Sequence, residues 1–287
     1  MKIIAIDLDG TLLNEKGEVS FENKKALIKA ESMGIKVIIA TGRSYNAALK
    51  PLRAVDLHFP IICLNGAKVY STNQHLLKRV PLNKAICQTI NSVCQELGLY
   101  FKLYTNKGVY SDSRLPSIEA MAEKMYVPNT NVDKQTFRMQ TLSRLRDEQI
   151  SSIKNYDDLL TKKNLTVYKI LVSSNEPNST DAALKRLENE SDLHITSSST
   201  GNLEFNNPKA KKGIALKQLA KSLGIQMDEV MAIRNSYNDL SMLKDAGYSV
   251  AMGNAANKVK QTCNYVTKKN TENGVAKAIE EMLQLSI

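Results

Sequence analysis

Residues Ile3–Leu13 constrain this chain more than any other stretch, because they run a buried strand directly into two closely spaced carboxylates. The segment reads Ile-Ile-Ala-Ile-Asp-Leu-Asp-Gly-Thr-Leu-Leu. Ile3 to Ile6 form an unbroken apolar run of strand length, and the run stops at Asp7. A strand ending there sets Asp7 and Asp9 at the carboxyl edge of a sheet, where open α/β sheets place their ligands. Two unpaired carboxylates in a half-buried pocket cost on the order of several kcal/mol, so a cation is their natural partner. A bare Asp-x-Asp is better explained by an Asp-Gly turn after a strand. The complete Asp-x-Asp-Gly-Thr behind an apolar run is more specific.

The pattern that follows predicts a doubly wound α/β fold. Ser20 is placed to cap a helix running to about Met33, with Gly34 as its stop. A second apolar strand, Ile35–Ala40, leads into Thr41-Gly42-Arg43, and a third, Ile61–Leu64, into Asn65-Gly66. Strand, helix, strand, helix, strand is the mark of a parallel sheet. From Lys84 to Asn207 the signals change to a mixture of helices and short strands. They are a helix over Lys84–Leu97, strands at Leu99–Tyr104, Val109–Ser111 and Tyr168–Ser173, and a helix over Ser179–Glu190. A final strand pair follows at Ile195–Ser198 and Leu203–Asn206. The stretch Asn129–Leu159 is polar and gives no clear pattern. This block holds no acidic pair or metal-ligand cluster and reads as an inserted α+β domain. From Pro208 the α/β pattern resumes, with strands predicted at Glu229–Ile233 and Tyr248–Met252 and a closing helix over Val275–Leu285. The core is therefore expected from residues 1–83 and 208–287, with 84–207 inserted. The two core halves should meet with the strand ending at Asp7 beside the one ending at Ile233.

Charge and cysteine usage narrow the partners. The formal charge of +10 is uneven: residues 1–83 and 208–287 each carry 12 Lys and Arg against 7 Asp and Glu, while the middle carries 15 of each. A basic field over an anion-handling site draws in phosphorylated substrates, and a merely solvated basic surface explains the excess as well. No dense basic run with interleaved aromatics points to nucleic acid, and no apolar run approaches membrane-spanning length. The scattered Cys63, Cys87, Cys94 and Cys263 read as small buried hydrophobes in a reducing cytoplasm.

Two further residues fit phosphate chemistry. Thr41 follows the second strand, where its hydroxyl can donate to a phosphate oxygen, although a helix cap is the commoner role for a lone Thr. Lys212 opens a helix before Gly213. A cation is unfavourable at a free helix N-terminus and becomes sensible when an anion sits there too. Lys209 and Lys211 lie close enough to blur that choice, and the Lys-Gly pairing favours Lys212.

Asp7-Leu8-Asp9-Gly10-Thr11, Thr41 and Lys212 resemble the first three motifs of the haloacid dehalogenase superfamily. Asn65-Gly66-Ala67 and Val250-Ala251-Met252-Gly253-Asn254-Ala255 resemble its Cof-type branch, subclass IIB. The resemblance implies Asp7 as nucleophile and Asp9 as general acid and base. It carries phosphate binding onto Thr41, Gly42, Lys212 and Asn238, and Mg2+ ligation onto Asp7, Asp9, Asn235 and Asp239. It also implies that 84–207 is an α+β cap that selects substrate. The fourth motif departs from the family's Gly-Asp-x-x-Asn-Asp: Arg234 stands at the Gly and Asn235 at the first Asp. Asn lacks the charge that holds a hard cation, and Arg234 adds a competing one, so weakened metal binding is expected.

The function these signals predict is Mg2+-dependent hydrolysis of small phosphate monoesters, such as sugar phosphates, through an aspartyl-phosphate. Two alternatives share the motifs: a weakly active or inactive phospholigand-binding protein, and a phosphomutase. The expected partner is a small phosphorylated metabolite, with no nucleic acid and no membrane. The protein is expected to be a cytoplasmic monomer or homodimer. Asp7→Asn is expected to remove an uncompensated buried charge when no metal is bound, and so to stabilise the metal-free protein.

Overall fold

The computed structural model describes residues 1–112, 135, 138, 142, 147–174, 177–197, 201–236 and 240–284. These form two compact units: residues 1–78 with 211–287, and residues 79–210.

In chain order, the first unit opens with β1 (Ile3–Ile6), α1 (Phe21–Ser32), β2 (Lys36–Ala40), α2 (Tyr45–Arg53), β3 (Ile61–Cys63), β4 (Lys68–Tyr70) and β5 (Leu76–Arg79). The second unit contributes α3 (Lys84–Glu96), β6 (Tyr100–Thr105), β7 (Val109–Asp112), β8 (Ile150–Ile153), α4 (Tyr156–Leu160), β9 (Val167–Ser173), α5 (Pro177–Leu187), β10 (His194–Thr196) and β11 (Asn202–Asn206). The first unit resumes with α6 (Lys212–Ser222), β12 (Val230–Arg234), α7 (Ser241–Asp245), β13 (Tyr248–Ala251), α8 (Asn257–Lys260), β14 (Tyr265–Val266) and α9 (Gly274–Gln284).

The first unit is built on a sheet of order β14-β13-β12-β1-β2-β3-β4-β5. The six strands from β14 to β3 run parallel, and β4 turns back antiparallel to β3. β1 lies between β2 and β12, in register Ile6↔Ile39 and Ile6↔Ile233. The strand ending at Asp7 thus lies beside the one carrying Ile233, as the sequence predicts. Each side chain of β1 is fully buried, because a parallel sheet is covered on both faces. On one face Ile3, Ala5, Ile38 and Ala232 pack with Leu216 and Ala220 of α6 and Met242 of α7. α1 packs on α9 and against β2. Ser20 caps α1 as expected, its hydroxyl accepting the Asn23 N–H.

The sequence marks the central strands well and the edges poorly. β4 and β5 are not predicted, since β4 is only three residues long and β5 is mostly exposed, so neither shows a buried-strand pattern. β12 runs one residue further than expected, through Arg234.

The second unit has a sheet of order β10-β11-β9-β6-β7-β8, antiparallel at each described pairing except β7 with β8. Ile86 and Ile90 of α3 pack with Phe101, Leu103, Ile170, Val172 and Phe205. β8 and α4 come from the polar stretch that gave no pattern; much of Asn129–Leu159 lies outside the described residues. Burial pushes the thiols of Cys87 and Cys94 up to about 12, in keeping with packed, unreactive groups. The cysteines are not disulfide-bonded.

A close backbone approach fixes where α6 begins. Gly66 has φ +98°, and a Cβ there would lie 2.5 Å from the carbonyl oxygen of Lys211. Gly66→Ala is therefore expected to lower stability by about 3 kcal/mol, from left-handed strain and the displaced start of α6. Urea unfolding checks this, and a midpoint equal to the parent's would show that the approach is not tight.

Candidate active site

The carboxyl ends of β1, β2 and β12 bring the predicted residues of three separated segments to one edge of the first unit's sheet. Asp7 leaves β1 extended and heads a loop closed by the Leu12 N–H to the Asp7 carbonyl at 3.2 Å and the Leu13 N–H to the Leu8 carbonyl at 3.0 Å. The Asp7 carboxylate is buried and clamped. Its Oδ1 accepts from the Leu8 N–H at 2.9 Å and from Lys212 Nζ at 2.9 Å. Its Oδ2 faces Arg234 Nε at 3.6 Å. Lys212 and Arg234 are 3% and 1% exposed, so both ion pairs lie where water screens little.

Lys212 is the first residue of α6, and the Asp7 carboxylate is the anion that makes a cation reasonable there. It is buried, whereas Lys209 is exposed and Lys211 partly exposed, which resolves the ambiguity among the three.

Asp9 sits differently. Its carboxylate is 38% exposed and is gripped by Arg43, with Nη2 to Oδ1 at 2.8 Å and Nε to Oδ2 at 3.1 Å. Arg43 is itself 6% exposed and also donates to the Ala47 carbonyl. Thr41 is fully buried, and its hydroxyl accepts the Arg43 N–H at 3.2 Å, which leaves the hydroxyl proton to be donated elsewhere. Gly42 lies between them in the same loop.

Gly10 is required by its neighbour. At φ +66° it lies beneath Asn235, and a Cβ there would come within 2.2 Å of Asn235 Nδ2. Asn235 Oδ1, the atom able to ligate a cation, accepts instead from the Thr11 hydroxyl at 3.2 Å. Asn254 Nδ2 donates to the Gly10 carbonyl, and Asn270 Nδ2 to that of Leu13. Asn238 and Asp239 lie outside the described residues.

Arg43, Thr11 and Asn254 complete the constellation without having been assigned to it from sequence. Arg43 had a signal, a cation two residues beyond Thr41. The contacts of Thr11 and Asn254 depend on loops distant in sequence and leave no local mark.

The described donors do not fit a bound Mg2+. That ion is held by one or two carboxylates and completes its octahedron with water and substrate oxygens. Here the Asp7 and Asp9 carboxylates are engaged by Lys212, Arg234 and Arg43, and Asn235 Oδ1 by Thr11. Among the described residues no group of three or more His, Cys, Asp or Glu side chains is arranged for a metal. Nor does any described helix have the length and apolarity to cross a membrane.

Comparison with known proteins gives the family. The family model for haloacid dehalogenase-like hydrolases matches residues 4–279. The chain belongs to that family. It is 33% identical over 285 residues to phosphatase YwpJ of Bacillus subtilis, covering 99% of this chain and 100% of that protein. It is 32% identical to the 5-amino-6-(5-phospho-D-ribitylamino)uracil phosphatase YwtE of the same organism, covering 99% and 98%. A solved haloacid dehalogenase-like hydrolase from B. subtilis superposes with a TM-score of 0.91 at 32% identity, covering 98% of this chain and all of that one. Phosphatases of this superfamily generally use a divalent metal, typically Mg2+.

The clamped geometry reverses the stability expected of Asp7→Asn. Asp7 is not an uncompensated charge: its loss removes the buried carboxylate that Lys212 and Arg234 both face. The substitution is expected to lower stability by about 2 kcal/mol in metal-free buffer. Arg43→Met, which removes the Arg43 bonds to half-exposed Asp9, should cost less, about 1 kcal/mol. Urea melts in the presence of chelator test both, and an unchanged or raised midpoint for Asp7→Asn would refute the clamp.

Proposed function

We propose that this protein hydrolyses small phosphate monoesters, with Asp7 as the nucleophile. The observation that carries the reading is the buried Asp7–Lys212 pair at the carboxyl edge of the sheet. It fixes one carboxylate oxygen and sets an ammonium beside the place where a phosphoryl group would arrive. Membership of a hydrolase family whose relatives include named phosphatases supports it.

In this reading Asp7 attacks phosphorus in line, forming an acyl-phosphate as the P–O bond to the leaving group breaks. Asp9 gives a proton to the departing oxygen, then takes one from the water that attacks the acyl-phosphate, restoring Asp7 and releasing inorganic phosphate. To do so it must give up part of its grip on Arg43. Lys212 and the Thr41 hydroxyl neutralise the equatorial oxygens, and Gly42 lets backbone approach them. Asn238 would add a phosphate contact, and Asp239 would orient Lys212. The second unit, assigned as the substrate-selecting cap, would choose among sugar phosphates and related metabolites. Asp7, Asp9, Asn235 and Asp239 are the residues the family resemblance assigns to a divalent ion; with Asp7 and Asp9 already facing cations, no step of this reading is routed through one.

A second reading, a phospholigand-binding protein with little turnover, is favoured by one specific observation. Both first-motif carboxylates are engaged by arginines, Asp7 by Arg234 and Asp9 by Arg43. A phosphomutase would use the same acyl-phosphate, passing it to a substrate hydroxyl rather than to water.

Hydrolysis of p-nitrophenyl phosphate and of a phosphometabolite panel separates these readings. Asp7→Asn is expected to lose about 10³-fold or more in kcat/KM, with circular dichroism showing the fold retained. Parental turnover by the variant would refute the nucleophile, and absence of turnover in the parent would favour the binding protein. Transfer of label from a sugar bisphosphate to a second sugar in a single turnover would identify a mutase.

A further inference from the structure

The end of β12 carries the most unusual group in the molecule. Arg234 heads the fully buried side chains by volume, and its guanidinium lies against the nucleophile candidate, Nε 3.6 Å from Asp7 Oδ2. The opposite oxygen of the same carboxylate is held by Lys212. A guanidinium stays protonated at any working pH and presents a planar fork of donors suited to carboxylate and phosphate oxygens. Burying it is unfavourable unless an anion compensates, so the Asp7 contact belongs to the folded structure.

The neighbouring position points the same way. Asn235 supplies no negative charge, and its carbonyl oxygen is already bonded to Thr11. Among the described residues here, three cations, Lys212, Arg234 and Arg43, face two carboxylates, Asp7 and Asp9. That set attracts a dianion without added metal. A divalent cation at Asp7 Oδ2 would have to displace Arg234 and then sit beside two like charges in a buried setting, where repulsion is strong.

We propose that Arg234 is a built-in cation at Asp7, so that the site binds the phosphoryl group of a phosphate monoester without Mg2+. The proposal rests on the reading above that this site receives phosphoryl groups, and it adds that Arg234 performs the charge neutralisation usually supplied by a divalent ion. It concerns binding and holds whether or not turnover follows.

Isothermal titration with inorganic phosphate on the full chain tests it, in chelator and in saturating Mg2+. The parent is expected to bind phosphate with the same Kd, within about twofold, under both conditions, and to show no saturable heat on titration with Mg2+ alone. Arg234→Met should weaken phosphate binding in chelator by about tenfold. Arg234→Gly with Asn235→Asp should bind Mg2+, and phosphate should then bind about tenfold or more tightly with Mg2+ than without. Tenfold tighter phosphate binding by the parent in Mg2+, or no phosphate binding in chelator, overturns the proposal. A double variant that folds and stays indifferent to Mg2+ overturns the role of Arg234. If the double variant does not fold, the parent titrations decide alone. A parent that binds phosphate without metal but hydrolyses no ester defeats the phosphatase reading and leaves this one standing.

Discussion

The contact on which the site depends is the pair of cations clamped around Asp7, with Lys212 on one carboxylate oxygen and Arg234 facing the other. The buried carboxylate compensates the cations that face it, so losing it takes the negative charge out of a buried cationic pair. The three come from residues far apart in sequence, and the parallel sheet brings them together. β1 ends at Asp7, the adjacent β12 ends at Arg234, and α6 starts at Lys212. The carboxyl edge is where such groups can converge, because strand ends there give way to loops free of ladder hydrogen bonding.

Tight backbone approaches hold the clamp in place. Gly66 allows its loop to meet the Lys211 carbonyl at the head of α6. Gly10 lets the loop after Asp7 pass beneath Asn235, so the Thr11 hydroxyl reaches Asn235 Oδ1. The Gly-Thr pair of the first motif thus has two separate physical reasons: one supplies a left-handed backbone with no Cβ, the other a hydroxyl donor. Asp9 stands apart from this clamp. It is more exposed and held by Arg43 from the loop after β2, an arrangement a proton-transfer group can leave at smaller cost than a fully buried pair.

The two carboxylates therefore occupy unlike settings although they are separated by one residue. Asp7 is fixed and shielded, as suits a nucleophile or a structural counter-ion for a bound phosphoryl group. Asp9 is reachable by water. Division of labour between neighbouring acids arises where their surroundings differ in this way. Here the surroundings differ in that Asp7 is buried between Lys212 and Arg234, while Asp9 is half-exposed beside Arg43.

Sequence alone determined the core. The apolar runs Ile3–Ile6, Ile35–Ala40 and Glu229–Ile233 read as buried strands of a parallel sheet, so the pairing of the first with the third and the edge bearing Asp7 and Thr41 were legible. Strand ends and motif residues lie in unbroken local text, and local text records periodicity. The departure at Arg234 and Asn235 was equally visible as a change of residue type. What the sequence could not show was who pairs with whom. That Arg234 sets its Nε 3.6 Å from Asp7, that Arg43 takes Asp9, and that Thr11 donates to the Asn235 carbonyl all depend on contacts across more than thirty residues of chain. The short β4, the edge strand β5 and the polar β8 were likewise set by their partners. Half-exposed strands carry little apolar pattern, and their hydrogen bonds come from neighbours rather than from their own side chains. The sequence thus announced an acidic pair in need of a cation, and only the tertiary structure decided that the protein itself supplies it.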